Sequence, residues 1–179
     1  SLVPTGNKLK TVYLVASADG SIPSDVEYIF YYAYSACNYV KEITIPESVK
    51  YIDSNSLNGL NSLEKLTFPH MNIVDGITTP LRVSTMFNYD FDNELEIEVL
   101  SGDSIPDSFF ENCDFVTNFI LPDTVTTIGE SAFRGCNNLL IINIPNSVTE
   151  IGAHAFYSCR GVGDLILSQN LKEIPIACF

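Results

Sequence analysis

Positive charge is scarce in this 179-residue sequence: Lys and Arg together number 9 against 22 Asp and Glu, a formal net charge of −13. Such a surface repels phosphate backbones and anionic lipid, and no basic stripe offsets it, so no nucleic-acid partner is expected. No run of 18 apolar residues is present, which argues against membrane insertion of this segment. Neither a signal peptide nor an initiating Met opens the chain, so it is expected to be an interior piece of a longer protein.

The residues of common catalytic constellations are also sparse. Histidine occurs only as His70, beside a proline, and His154, and both are expected at the surface rather than as general bases. Gly129-Glu130-Ser131 has the start of a nucleophile elbow, but Phe133 stands where the second glycine belongs. Glycine-rich phosphate cradles are lacking, and no CxxC or Cys/His spacing suggests zinc. Asp90, Asp92, Glu94, Glu96 and Glu98 alternate, yet a calcium loop needs a Gly at its sixth place and a Glu at its twelfth, and neither is there. The expectation is a protein that is not an enzyme and carries no cofactor or metal.

What is present is repetition. From Pro122 the chain reads PDTVTTIGESAFRGCNNLLIINI, and from Pro145 it reads PNSVTEIGAHAFYSCRGVGDLIL, copies that begin 145 − 122 = 23 residues apart. Val125, Ile128, Ala132, Phe133, Cys136, Leu139, Ile142 and Ile144 of the first are matched by Val148, Ile151, Ala155, Phe156, Cys159, Val162, Leu165 and Leu167 of the second. A period of this size predicts a solenoid, in which each coil buries its apolar side only by stacking on its neighbours. The closing Leu-x-x-Ile-x-Ile alternates like a short strand, and the Ala-Phe-x-x-Cys segment suits a turn of helix or a 3₁₀ turn. Gly129 and Gly152 are expected to relieve the bend into the return segment.

The pattern predicts one array over residues 9–179 after a lead-in at 1–8. Its coils fall near 23–45, 46–68, 69–98, 99–121, 122–144 and 145–167, with a truncated one at 168–179. Leu9 to Leu14 fits the strand of an earlier coil, and the truncation leaves an apolar end that invites end-to-end association. Between His70 and Asn93 the pattern needs an insertion, read either as a binding loop or as a degenerate bulge. Cys37, Cys113, Cys136 and Cys159 share one coil position that Leu60 also fills, which predicts a ladder of buried thiols rather than disulfides or metal ligands.

These words closely resemble the BspA-like leucine-rich repeats of surface proteins from bacteria and some parasitic protists. VTTIGESAFRGCNNLLIINIP and VTEIGAHAFYSCRGVGDLIL match best, with looser matches at VEYIFYYAYSACNYVKEITIP and VKYIDSNSLNGLNSLEKLTFP. The resemblance implies an α/β repeat solenoid: a right-handed coil with a parallel β-sheet on one face and short helical or irregular return segments. It also implies a non-catalytic binding or adhesion module of a secreted or cell-surface protein, some relatives being adhesins for host extracellular matrix proteins.

The outward strand positions supply the candidate face: Thr11 and Tyr13, Glu42 and Thr44, Lys65 and Thr67, Glu96 and Glu98, Asn118 and Ile120, Ile141 and Asn143, Asp164 and Ile166. Ile120, Ile141 and Ile166 are more apolar than solvation requires, and with Tyr13, Glu96 and Glu98 they form the candidate partner-binding set. The alternative is that branched residues are simply favoured in strands. Tyr28, Tyr31 and Tyr51 form a second candidate, for carbohydrate, within a structural spacer of a larger surface protein. The competing reading is outer-face packing, since Tyr28 and Tyr51 are 23 residues apart and should stack.

Overall fold

The protein is represented by a computed structural model that describes residues 20–35, 37–75, 79–87, 91 and 93–179. The expected lead-in at 1–8, the strand at Leu9 to Leu14 with Thr11 and Tyr13, and Asp90 and Asp92 lie outside the described residues.

Short strands account for nearly all the regular structure. In chain order they are β1 (Tyr28–Ile29), β2 (Glu42–Thr44), β3 (Tyr51–Ile52), β4 (Lys65–Phe68), β5 (Val74–Asp75), β6 (Thr79–Pro80) and β7 (Leu95–Val99). Then follow β8 (Ser104–Ile105), β9 (Val116–Ile120), β10 (Thr127–Ile128), β11 (Ile141–Asn143), β12 (Glu150–Ile151) and β13 (Asp164–Ile166). A 3₁₀ turn at Val83–Met86 is the helical element among the described residues. The return segments are therefore turns rather than helix.

The strands expected at each coil's end pair in parallel into one six-stranded sheet, in the order β13-β11-β9-β7-β4-β2. Register follows the repeat: Ile43 pairs with Leu66, Phe119 with Ile142, and Ile142 with Leu165. Period-two alternation turns Ile43, Leu66, Ile97, Phe119 and Ile142 into the interior, where all are buried. A fully buried side chain of this size stabilises the stack by about 1.5–3 kcal/mol.

A second ladder was not apparent from the alternation. The two-residue strands β1, β3, β5 and β6 form one companion sheet, and β8, β10 and β12 form another. The return turns are bonded between coils as well. Phe110 N donates to Ala132 O at 2.8 Å, Phe133 N to Ala155 O at 2.8 Å and Phe156 N to Cys178 O at 2.7 Å. Their sharpness comes from left-handed residues at one fixed place of six coils: Tyr32, Asn55, Ser108, Ser131, His154 and Ala177 have φ between 50° and 59°.

Gly129 and Gly152 serve a different purpose from the one expected, since neither has a positive φ. A Cβ on Gly152 would lie 2.4 Å from Glu130 N of the preceding coil, and one on Gly129 would lie 2.5 Å from Asp107 Oδ1. Close approach between coils, not a bend, requires them.

The insertion is now located. Leu66 pairs with Ile97, a spacing of 97 − 66 = 31 residues, eight beyond the usual period. The antiparallel pair β5 and β6 is the one departure from parallel pairing among the described residues, and it falls between the two companion ladders in the chain. The chain then rejoins the stack, where Asn55 N donates to Thr85 O at 2.7 Å and Leu57 N to Met86 O at 2.9 Å. Leu81, Val83 and Met86 are fully buried, so the irregular coil contributes to the core. Phe87 and Phe91 meet Phe115 of the next coil at ring-centroid distances of 4.9 and 5.1 Å.

The thiol ladder forms as expected: Cys37, Cys113 and Cys136 are buried and Cys159 half-buried, all free thiols. Cys136 Sγ donates to Phe110 O at 3.3 Å and Cys159 Sγ to Phe133 O at 3.1 Å. Burial pushes the Cys113 and Cys136 thiols well above their ordinary range.

Candidate interaction surface

Outward side chains of the main sheet stand in two columns. Glu42, Lys65, Glu96 and Asn118 follow one another in register, as do Thr44, Thr67, Glu98 and Ile120. Ile141 continues the first column after Asn118, its backbone paired with that of Asp164, and Asn143 and Ile166 are paired in the second. The face is therefore polar at its N-terminal end and increasingly apolar toward its C-terminal end.

At the polar end the charges are mutually engaged. Lys65 Nζ lies 3.1 Å from Glu96 and 2.8 Å from Glu98, and Asn118 Nδ2 donates to Glu96 Oε2 at 2.9 Å. The lysine hydrogen bond, then that from Asn118, holds the Glu96 carboxyl below its ordinary range. Glu96 and Glu98 thus sit at the expected outward places, but as partners of Lys65. The insertion concealed this link, because Lys65 and Glu96 are 31 residues apart.

Ile120, Ile141 and Ile166 lie on the successive strands β9, β11 and β13, alternating between the two columns. Their fractional exposures are 39, 50 and 56 %. Branching suits each of them to a strand, but nothing among the described residues covers them.

The aromatic candidate is on the companion ladder. Tyr28 and Tyr51 stack at 5.6 Å as the period requires, and Phe30 packs on Tyr28 at 4.2 Å. Tyr28 Oη donates to Asp53 Oδ1 at 2.8 Å. Tyr31 and Tyr32 touch at 4.3 Å, and both are exposed.

The two histidines stand in separate coils. His70 Nδ1 accepts from Asn72 N at 3.2 Å, and the His154 ring meets the Tyr157 ring at 5.8 Å. Ser131 is a left-handed turn residue whose N–H bonds to Ala153 O of the next coil at 3.0 Å. Among the described residues no group of three or more His, Cys, Asp or Glu could hold a metal ion, and no helix is long and apolar enough to cross a membrane. The geometry offers a broad outward surface.

A family model described as the BspA type leucine rich repeat region matches in 6 copies over residues 16–98 and 103–179. No curated protein matches the chain significantly. Among solved structures, a leucine-rich repeat protein from Eubacterium ventriosum is 21% identical with a TM-score of 0.55, over 88% of this chain and 46% of that one. A leucine rich cell surface protein from Faecalibacterium prausnitzii is 24% identical with a TM-score of 0.46, over 85% and 47% of the two chains. A leucine-rich repeat protein from Bacteroides ovatus is 20% identical with a TM-score of 0.48, over 89% and 46%. The chain spans about half the length of these solved structures, and the Eubacterium ventriosum match supports the solenoid fold.

Proposed function

The chain belongs to the BspA-type leucine-rich repeat family, and on that premise we propose that it is a non-catalytic protein-binding module of a cell-surface or secreted protein. In this reading the partner, of which a host extracellular matrix protein is the leading example, meets the outward face of the six-stranded sheet. One observation carries the assignment: Ile120, Ile141 and Ile166 present their side chains together on three neighbouring strands, exposed by 39, 50 and 56 %. Water gains when such a patch is covered, and exposed apolar residues on a rigid sheet lose little freedom on binding. Glu96 and Glu98 belong to the proposed set by their strand positions, and Tyr13, outside the described residues, by its place in the repeat.

The test is the triple variant Ile120→Ser, Ile141→Ser, Ile166→Ser, measured against a panel of immobilised extracellular matrix proteins. Substitutions at exposed places should each leave stability within about 0.5 kcal/mol. Loss of roughly tenfold or more in affinity with an unchanged melting temperature supports the assignment. Undiminished binding removes it.

A second reading, carbohydrate contact by a spacer segment, is favoured by the exposed Tyr31 and Tyr32 rings beside the stacked Tyr28 and Tyr51. Aromatic faces stack on sugar rings through the same amphipathic character that keeps tyrosine half-exposed. A glycan-array signal abolished by Tyr31→Ala and Tyr51→Ala would favour it, and a blank array would reject it.

A further inference from the structure

A groove of about 490 Å³ opens at the edge of the main sheet where β7, β9 and β11 begin. Phe91 and Phe115 form its apolar floor, with rings 5.1 Å apart and crossed at 78°, and Phe87 braces both at 4.7 and 4.9 Å. Leu140, 52 % exposed, is the apolar wall, and it is followed directly by the exposed Ile141 of the sheet face. Glu94 and Asp114 supply two exposed carboxylates at the rim.

Charge decides what this groove accepts. Among the described residues no Lys, Arg or His lines it. Neither Glu94 nor Asp114 has an ion-pair partner among the described residues, whereas Lys41, Lys50, Lys65, Arg82, Arg134 and Lys172 are each committed to carboxylates elsewhere, and Arg160, next to the groove's Gly161, lines a different pocket with Phe156 and Cys159. Two unneutralised carboxylates beside aromatic rings favour a cation with an apolar stem, because the carboxylates attract the charge and the negative ring faces add to the attraction. The whole chain, at −13, steers in the same direction.

We propose that this groove receives an arginine or lysine side chain of the protein partner, with an apolar neighbour of that residue resting on Leu140 and Ile141. The inference rests on the protein-binding reading above and adds the partner's chemistry: a basic residue flanked by apolar ones. Asn93, Asn138 and Thr117 border the same groove and offer hydrogen bonds to the backbone of such a segment.

The test uses a capped Leu-Arg-Leu peptide and its neutral citrulline counterpart, titrated into the whole chain and followed by amide correlation spectra. Saturable shifts at Glu94, Asp114, Phe115, Leu140 and Ile141 are expected, with the citrulline peptide about fivefold weaker or more. The double variant Glu94→Gln, Asp114→Asn should weaken the arginine peptide about tenfold, while Glu47→Gln with Asp123→Asn, which removes equal charge elsewhere, should change it less than about twofold. Shifts scattered over the acidic surface, equal binding of the two peptides, or indifference to Glu94→Gln, Asp114→Asn would overturn the proposal. Ile120→Ser with Ile166→Ser, leaving Ile141 intact, separates the two claims. Peptide binding at the groove alongside matrix-protein binding that ignores these isoleucines means that the sheet-face reading has failed alone. The reverse result means that the groove has failed alone.

Discussion

Phe133 and Phe156 lie face to face, their ring centroids 5.1 Å apart and their planes 6° from parallel. Phe110 extends the column at 5.2 Å on one side and Phe179 at 5.6 Å on the other, and Phe119 meets Phe133 edge-on at 4.8 Å. Phe133→Ala should therefore cost about 3–5 kcal/mol in urea denaturation, through lost burial and the cavity left between two rings. Phe179→Ala, at a half-exposed place where the described residues enclose the ring less, should cost much less. Equal costs at the two sites would contradict the dependence on enclosure between two rings.

Ser56 occupies the coil position that Ala33, Ala132 and Ala155 fill elsewhere, and its fully buried hydroxyl has no hydrogen-bond partner among the described residues. An unpaired buried hydroxyl costs about 1–3 kcal/mol. Ser56→Ala should raise the melting temperature, the gain amounting to about 1 kcal/mol; a drop would point to a partner for the hydroxyl.

The Tyr28 phenol is pushed up to about 12, first by burial and then by its hydrogen bond to the Asp53 carboxylate and the charge of that carboxylate. A proton held more tightly in the folded state stabilises fully below the unfolded value near 10.0, and that contribution is lost as pH rises through about 12. Alkaline titration by phenolate absorbance should show one phenol ionising near 12 that disappears in Tyr28→Phe. In Asp53→Asn it should ionise at lower pH, and the folded state should lose less stability between the two values. A titration indifferent to Asp53→Asn would contradict the assigned cause.

Thiol reactivity should follow the ladder's exposure. Cys159 is the half-buried member, and hydrogen bonding with the Cys136 thiol lowers its pKa, whereas burial raises those of Cys113 and Cys136. A water-soluble maleimide should label Cys159 first in the folded protein, with Cys113 and Cys136 protected until unfolding. Mass spectrometry of the labelled peptides reads the order, and early labelling of Cys113 would contradict the stacked core.

What could be read from the chain was whatever the 23-residue period touches. Ile43 against Leu66, Phe119 against Ile142 and Tyr28 against Tyr51 all follow from counting, because equivalent places in parallel coils become neighbours. Counting fails across the insertion, and so the link from Lys65 to Glu96 and Glu98 and the meeting of Phe87, Phe91 and Phe115 went unseen. The recurring left-handed turn was hidden for another reason. Its residues run from Tyr32 through Asn55 to Ala177, and of the six only Asn55 and His154 carry a compositional hint of φ above zero. Gly152 was visible, but its purpose depends on how near Glu130 N comes, which no local pattern encodes. The groove beside Phe115 has the same origin, since two of its aromatic supports, Phe87 and Phe91, come from the irregular coil.

The coil that holds the β5–β6 pair is eight residues longer than the usual period, yet Lys65 still faces Glu96 and Thr67 still faces Glu98 in the main sheet. Length and outward chemistry are thereby uncoupled: residues can be gained or lost on the flank while every side chain on the broad face keeps its neighbour. A lineage of such proteins is free to diversify its loops and its face as separate traits.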